Sequence, residues 1–165
     1  MQFWRLATDT PAVYDARGRR WRSRGDLQVE AERLGELLPP SKSLVFCFCR
    51  NDLASLEWYL ACLRYRHAVA LLDANLAPDL QQKLVEHYQP DCIVASSALP
   101  AASGRHYENA GRHLWWRRRP QDGVLHPSLA LLLSTSGSTG SPKFVRLTAA
   151  KLAATRNTAA AWAAA

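Results

Sequence analysis

Four short apolar runs constrain the fold of this chain more than any other feature. They are Leu44–Cys49, Val69–Leu72, Cys92–Ala95 and Leu129–Leu133. Each has the length and unbroken hydrophobicity of a strand buried on both faces. Helical patterns separate the first three. Leu53, Leu56, Leu60 and Leu63 line one side of a helix that Asn51 or Asp52 can cap. Pro78 stands at the start of the next helix, Leu80, Leu84 and Tyr88 form its inner face, and Pro90-Asp91 stops it. Before the first run, Leu27, Ala31, Leu34 and Leu38 share one face of a helix read over residues 26–38, ended by Pro39-Pro40. Such alternation predicts an α/β fold with helices packed on a mostly parallel β-sheet. A length of 165 residues suits one domain.

The remaining segments give weaker signals. Val13–Asp15 and Arg20–Ser23, with Gly18 between them, read as a hairpin. Ser96–Gly111 is small and polar and reads as a loop, and Leu114–Arg117 reads as an edge strand. No apolar run approaches the ~18 residues of a membrane span. Residues 1–14 lack the apolar core of a secretory signal. Cys47, Cys49, Cys62 and Cys92 lack C-x-x-C spacing and read as reduced core thiols of a cytoplasmic protein.

The net charge is +7, from 21 basic and 14 acidic side chains. Arginines cluster at 17, 19, 20, 22 and 24 around Trp21, and at 117–119 after Trp115-Trp116. Basic stripes with interleaved aromatics suit single-stranded nucleic acid. Charged hairpin edges that resist strand pairing explain the same residues more simply, and no nucleic-acid module signature accompanies them.

In open sheets of this kind ligands bind beyond the carboxyl ends of the strands. The segment after Leu133 is Ser134-Thr-Ser-Gly-Ser-Thr-Gly-Ser-Pro-Lys143. Gly137 and Gly140 permit backbone angles and close approaches that other residues resist. Adjacent N–H groups form an anion nest, the hydroxyls of Thr135, Ser136, Ser138 and Thr139 donate to phosphate oxygens, and Lys143 adds a compact positive charge. The segment therefore reads as a polyphosphate cradle. It is not the P-loop of nucleotide triphosphatases, which runs G-x-x-x-x-G-K-[ST] into a helix. Here Phe144-Val-Arg-Leu-Thr148 follows, and its β-branched and aromatic residues predict a strand.

Thr135-Ser-Gly-Ser-Thr-Gly-Ser-Pro-Lys143 resembles the signature loop of the adenylate-forming superfamily, which includes acyl-CoA synthetases, luciferases and the adenylation domains of nonribosomal peptide synthetases. Tyr14–Trp21 with the helix after it, Tyr59–Asp73 and Leu84–Ala95 are similar to further segments of that superfamily. The resemblance runs from Ala12 to about Trp162. It implies the N-terminal part of the large domain of an enzyme that joins a carboxylate to ATP, releases pyrophosphate, and passes the acyl group to coenzyme A or a carrier protein. It assigns ATP phosphates to Thr135, Ser136, Gly137, Ser138, Thr139, Gly140 and Lys143, and implies Mg2+ with the ATP. Two positions depart from the usual pattern. Phe144 stands where glycine is most common, and Ala149 where histidine or serine is.

Members of the superfamily are several times longer. The resemblance places the adenine and ribose contacts, most of the acyl pocket and a mobile C-terminal catalytic domain outside these residues, so an isolated chain is expected to be inactive. Ten of the last seventeen residues are alanine. They read as the helix after the loop, in a chain expected to be an incomplete subdomain with exposed sheet edges prone to self-association. A phosphate-binding module that complements a separate chain and a basic nucleic-acid-binding protein are the alternatives.

Overall fold

The computed structural model describes residues 8–95, 106–119, 123–135 and 143–154. Strands β1 (Pro11–Asp15) and β2 (Arg20–Ser23) form the expected antiparallel hairpin. Its turn is held by the Asp15 carboxylate, which accepts from the backbone N–H of Arg17 at 3.1 Å and of Gly18 at 3.0 Å. A Cβ on Gly18 would collide with that carboxylate.

Helix α1 spans Arg24–Gly35, not 26–38. Ser23 sets the start through a capping box: its Oγ accepts from the Asp26 N–H at 3.1 Å, and Asp26 Oδ2 accepts from the Ser23 N–H at 2.9 Å. After Gly35 the chain tightens into i→i−3 bonds, Leu37 N–H to Leu34 O and Leu38 N–H to Gly35 O. Leu38 thus reaches the core, 5% exposed, although it lies beyond the helix.

β3 (Leu44–Cys49) leads to α2 (Leu53–Arg64), β4 (Ala68–Asp73), α3 (Pro78–Tyr88) and β5 (Cys92–Ala95). Asp52 rather than Asn51 caps α2, accepting from the Ser55 N–H at 3.0 Å. Pro78 occupies the first turn of α3, and Gln89, at φ 46°, closes it in the left-handed region. The chain continues through β6 (Tyr107–Gly111), β7 (Leu114–Arg117), β8 (Leu129–Thr135) and β9 (Lys143–Thr148). Residues 149–154 begin a helix, with Thr148 Oγ1 accepting from the Lys151 N–H at 3.3 Å.

Seven of these strands form one sheet in the order β6-β7-β5-β3-β4-β8-β9. Its centre is parallel: β3 pairs with β4 and β5, and β4 with β8. Its flanks are antiparallel. Alternate residues divide the core. Val45, Cys47, Val69, Cys92 and Leu131 pack with Leu27, Ala31 and Leu34 of α1 and Trp58, Ala61 and Cys62 of α2. Phe46, Phe48, Ala70, Leu72 and Ile93 pack on the other face with Leu84 and Val85 of α3. This is the predicted α/β arrangement. All four cysteines are free thiols, and three of them are buried.

Two expectations fail on one side of the sheet. Residues 107–111 form a strand, not a loop, whereas 96–105 lie outside the described residues. Leu114–Arg117 is an interior strand, paired on one side with β5 and on the other with β6. The polar sequence Tyr-Glu-Asn-Ala-Gly conceals β6 because only Tyr107 is fully buried, and its hydroxyl donates to Pro90 O at 2.7 Å. Arg112 (φ 50°) and His113 (φ 67°) form the two-residue turn into β7.

His67 is 2% exposed, and its Nδ1 accepts from the Ser43 N–H at 3.1 Å. Burial, with Lys42 nearby, brings its pKa down to about 4. Between that value and the ordinary 6.5, the unfolded chain takes up a proton that the folded chain refuses. Stability is therefore complete above pH 6.5 and falls as the pH drops towards 4. Urea unfolding of His67→Gln across this range is expected to show a flatter pH dependence than wild type.

Candidate phosphate-binding edge

The carboxyl ends of β3, β4, β5 and β8 lie along the same edge of the sheet, because these strands run parallel. β8 carries Leu129–Leu133 out of the core to Ser134 and Thr135. β9 returns antiparallel beside it, with Ser134 opposite Phe144 and Thr135 opposite Lys143. The serine- and glycine-rich segment therefore joins two paired strands, as its sequence predicts, and not a strand to a helix. Thr135 and Lys143 are brought together at its two ends. Ser136, Gly137, Ser138, Thr139 and Gly140 lie outside the described residues, and for Thr135 and Lys143 the backbone is what is described.

Phe144 fixes the downstream strand from the other side. Its ring lies 5.0 Å from that of Tyr88 on α3 and 6.2 Å from that of Phe46 on β3. At the opposite end of the strand pair, Lys42 Nζ donates to Leu129 O at 2.6 Å and to Arg66 O at 2.8 Å. β8 is thus tied to the chain before β3 and after α2.

A cleft of about 730 Å³ opens along the same edge, between the β1–β2 turn and the start of α2. Val13, Cys49, Leu53, Leu56, Tyr59 and Leu71 give it an apolar lining, and Asp15, Arg17, Arg50 and Asp52 supply charge. Arg17 and Asp52 approach to 4.0 Å. Leu71 pairs with Leu133, two residues before Thr135, so the cleft lies beside the strand β8. The neighbouring Cys47 thiol holds Cys49 below the usual thiol pKa. By contrast, burial pushes Cys92 up to about 12. Sequence reasoning did not find this cleft. Its signals were the hairpin and the Asp52 cap, but their juxtaposition depends on tertiary packing.

Several members of the arginine clusters are engaged within the chain. Arg22 pairs with Glu57 at 3.5 Å, and Arg118 lies 3.9 Å from Glu108. Arg117 donates to Gln89 Oε1 at 2.6 Å. The Trp116 indole donates to Leu37 O at 3.0 Å, and Trp115 packs against the core on the α3 side.

Comparison with known proteins agrees with this geometry. The pattern of the AMP-binding enzyme family matches residues 3–164. A D-alanine--D-alanyl carrier protein ligase from Streptococcus equi subsp. equi (strain 4047) is 27% identical over 153 residues, covering 85% of this chain and 29% of that protein. Apo MatB from Rhodopseudomonas palustris superposes with a TM-score of 0.65 at 16% identity, covering 90% of this chain and 33% of MatB. An ATP-bound RpMatB-BxBclM chimera gives 0.64 at 18% identity, covering 91% of this chain and 34% of the chimera. These solved structures share the fold, and the chain spans about a third of the length of the relatives it matches. By the match over nearly its whole length, the chain belongs to the AMP-binding enzyme family.

Proposed function

We propose that these residues are the N-terminal part of the large domain of an ATP-dependent, AMP-forming acyl ligase, and that the Thr135–Lys143 loop holds the β- and γ-phosphates of ATP. The carrying observation is the strand–loop–strand placement of a Ser/Thr/Gly-Lys segment at the carboxyl edge of a parallel sheet, between Thr135 and its partner Lys143. In the reaction a carboxylate oxygen attacks the α-phosphorus. The bond from that phosphorus to the bridging oxygen breaks, and the electron pair leaves with pyrophosphate. A thiol of coenzyme A or of a carrier protein then displaces AMP from the acyl carbon and forms the thioester.

The loop acts on the leaving group. Backbone N–H groups near Gly137 and Gly140, hydroxyls of Thr135, Ser136, Ser138 and Thr139, and the Lys143 ammonium offset negative charge as pyrophosphate departs. Among the described residues no group of three or more His, Cys, Asp or Glu stands where it could hold a metal ion. Mg2+ enters this reading only with the ATP phosphates, and no step is routed through it. No described helix is long and apolar enough to cross a membrane. A cytoplasmic location belongs to the same proposal.

Two results are expected for these 165 residues expressed alone. Carboxylate-dependent ATP–pyrophosphate exchange is absent, because holding the leaving group does not orient the attacking carboxylate. Measurable exchange would refute this. The chain also self-associates, since β6 and β9 are the sheet edges among the described residues and Leu133 and Val145 are 37% and 46% exposed. Sedimentation velocity showing a concentration-independent monomer would contradict that expectation.

A further inference from the structure

The four cysteines of the chain pack in one core layer. Cys47, Cys62 and Cys92 are closed off by it, each at most 1% exposed. Cys49 is not. It ends β3 and lines the cleft of about 730 Å³ between the β1–β2 turn and the start of α2. Its Sγ lies 3.3 Å from Cys47 O, to which the protonated thiol donates. Two donors meet the sulfur once its proton is lost, the Cys47 thiol on the same strand and the Leu72 N–H of β4. They hold the group below the usual thiol pKa, against burial and the Asp52 carboxylate. The bond to Cys49, with burial, pushes Cys47 the other way, and burial does the same to Cys62 and Cys92. The walls beside Cys49 are apolar: Val13, Leu53, Leu56, Tyr59 and Leu71. The carboxylates of the lining are already engaged, Asp15 by the hairpin turn, Asp52 by the α2 cap and Glu57 by Arg22.

We propose that Cys49 is a thiolation site, at which the cleft receives a small disulfide with an apolar body and forms a mixed disulfide with it. This goes beyond the phosphate-binding reading and does not depend on it. The Cys49 thiolate attacks one sulfur of the disulfide. The S–S bond breaks, and its electron pair leaves on the other sulfur, which departs as a thiolate. Cys49 is oxidised, the departing half is reduced, and the Cys49 proton passes to solvent. A second thiol reverses the step. The thiolate is the nucleophile, so the donors from Cys47 and Leu72 favour reaction near neutral pH. Apolar walls favour a body that loses contact with water as it enters. The titratable and charged groups around the sulfur are Asp15 and Arg17 of the hairpin, Arg50 and Asp52 before α2, Cys62 of α2 and Cys47 of β3.

The test uses the full chain, reduced and free of added thiol, with dithiodipyridine as an aromatic disulfide and hydroxyethyl disulfide as a polar one. Rates are read against pH beside those of an unstructured cysteine peptide, and peptide mass spectrometry locates the modified residue. One equivalent of dithiodipyridine is expected to label Cys49 first, at least about a hundredfold faster than Cys47, Cys62 or Cys92. The preference for the aromatic over the polar disulfide should exceed that of the peptide by about tenfold, and should fall in Leu53→Ser. Should Leu53→Ser fail to fold, Val13→Thr on the opposite wall carries the same expectation. The midpoint of the pH–rate curve lies below the peptide's. Cys47→Val raises it, Cys47→Ser keeps a donor and the wild-type midpoint, and Cys49→Ser loses the fast reaction. First labelling at another cysteine, or labelling of all four together, overturns the site. A preference no greater than the peptide's overturns recognition by the cleft. A midpoint unmoved by Cys47→Val overturns the part given to the Cys47 thiol.

Discussion

Lys143→Ala is expected to weaken binding of ATP and of pyrophosphate by between about tenfold and a hundredfold, the range of a hydrogen bond to a charged group. The lysine backbone pairs with Thr135 across the end of the β8–β9 ladder, so its position at the loop is set by the sheet. The loss should be the same for both ligands, because pyrophosphate contains the two phosphates that the loop is assigned. It should shrink at high salt, since salt screens the attraction between an ammonium and phosphate. Lys143→Arg should recover only part of the affinity, because a planar guanidinium does not reproduce a compact ammonium. Calorimetric titration of the three proteins at two salt concentrations checks this, and equal affinity in Lys143→Ala would refute the assignment.

Phe46→Ala is expected to cost about 3–5 kcal/mol, the usual range for removing a buried phenylalanine. Phe46 is fully buried in β3, between strands β4 and β5, and it meets both Tyr88 and Phe144. Its removal opens a cavity beneath α3 and releases the ring that reaches β9. For a domain of this length each kcal/mol shifts the thermal midpoint by roughly 2–4 °C, so a fall of about 10 °C is expected. Val145→Thr, at a 46% exposed position, should change stability little and serves as the control. Urea denaturation with an unchanged slope in both variants would attribute the loss to packing in the folded state.

The parallel centre of the sheet was legible because its strands are buried on both faces and therefore apolar throughout. Leu44–Cys49 and Cys92–Ala95 are strands at the bounds their sequences suggest. The flank was less legible. β6 buries one side chain fully, Tyr107, and exposes polar neighbours, so no hydrophobic period marks it. Reading β6 as loop then made β7 look like an edge. In α1 the helical face read from Leu27 to Leu38 is buried, but its last member is carried by a tightened turn after Gly35. Periodicity reports which side chains face the core, and capping bonds decide where the helix begins and ends.

The candidate site divides in the same way. The strand–loop–strand context of the Ser/Thr/Gly segment was readable from Phe144-Val-Arg-Leu-Thr148, whose residues suit a strand. The packing of Phe144 on Tyr88 was not, since nothing local to either residue points to the other. The cleft beside Cys49 likewise arises from a hairpin folding over the end of a distant strand.

The central claim is that the loop holds the pyrophosphate end of a nucleotide, and titration calorimetry of ATP, pyrophosphate and AMP against the same protein tests it most directly. ATP and pyrophosphate are predicted to bind, to compete with each other and to lose affinity together in Lys143→Ala, while AMP binds far more weakly. Binding of AMP as tight as that of ATP, with none of pyrophosphate, would contradict it.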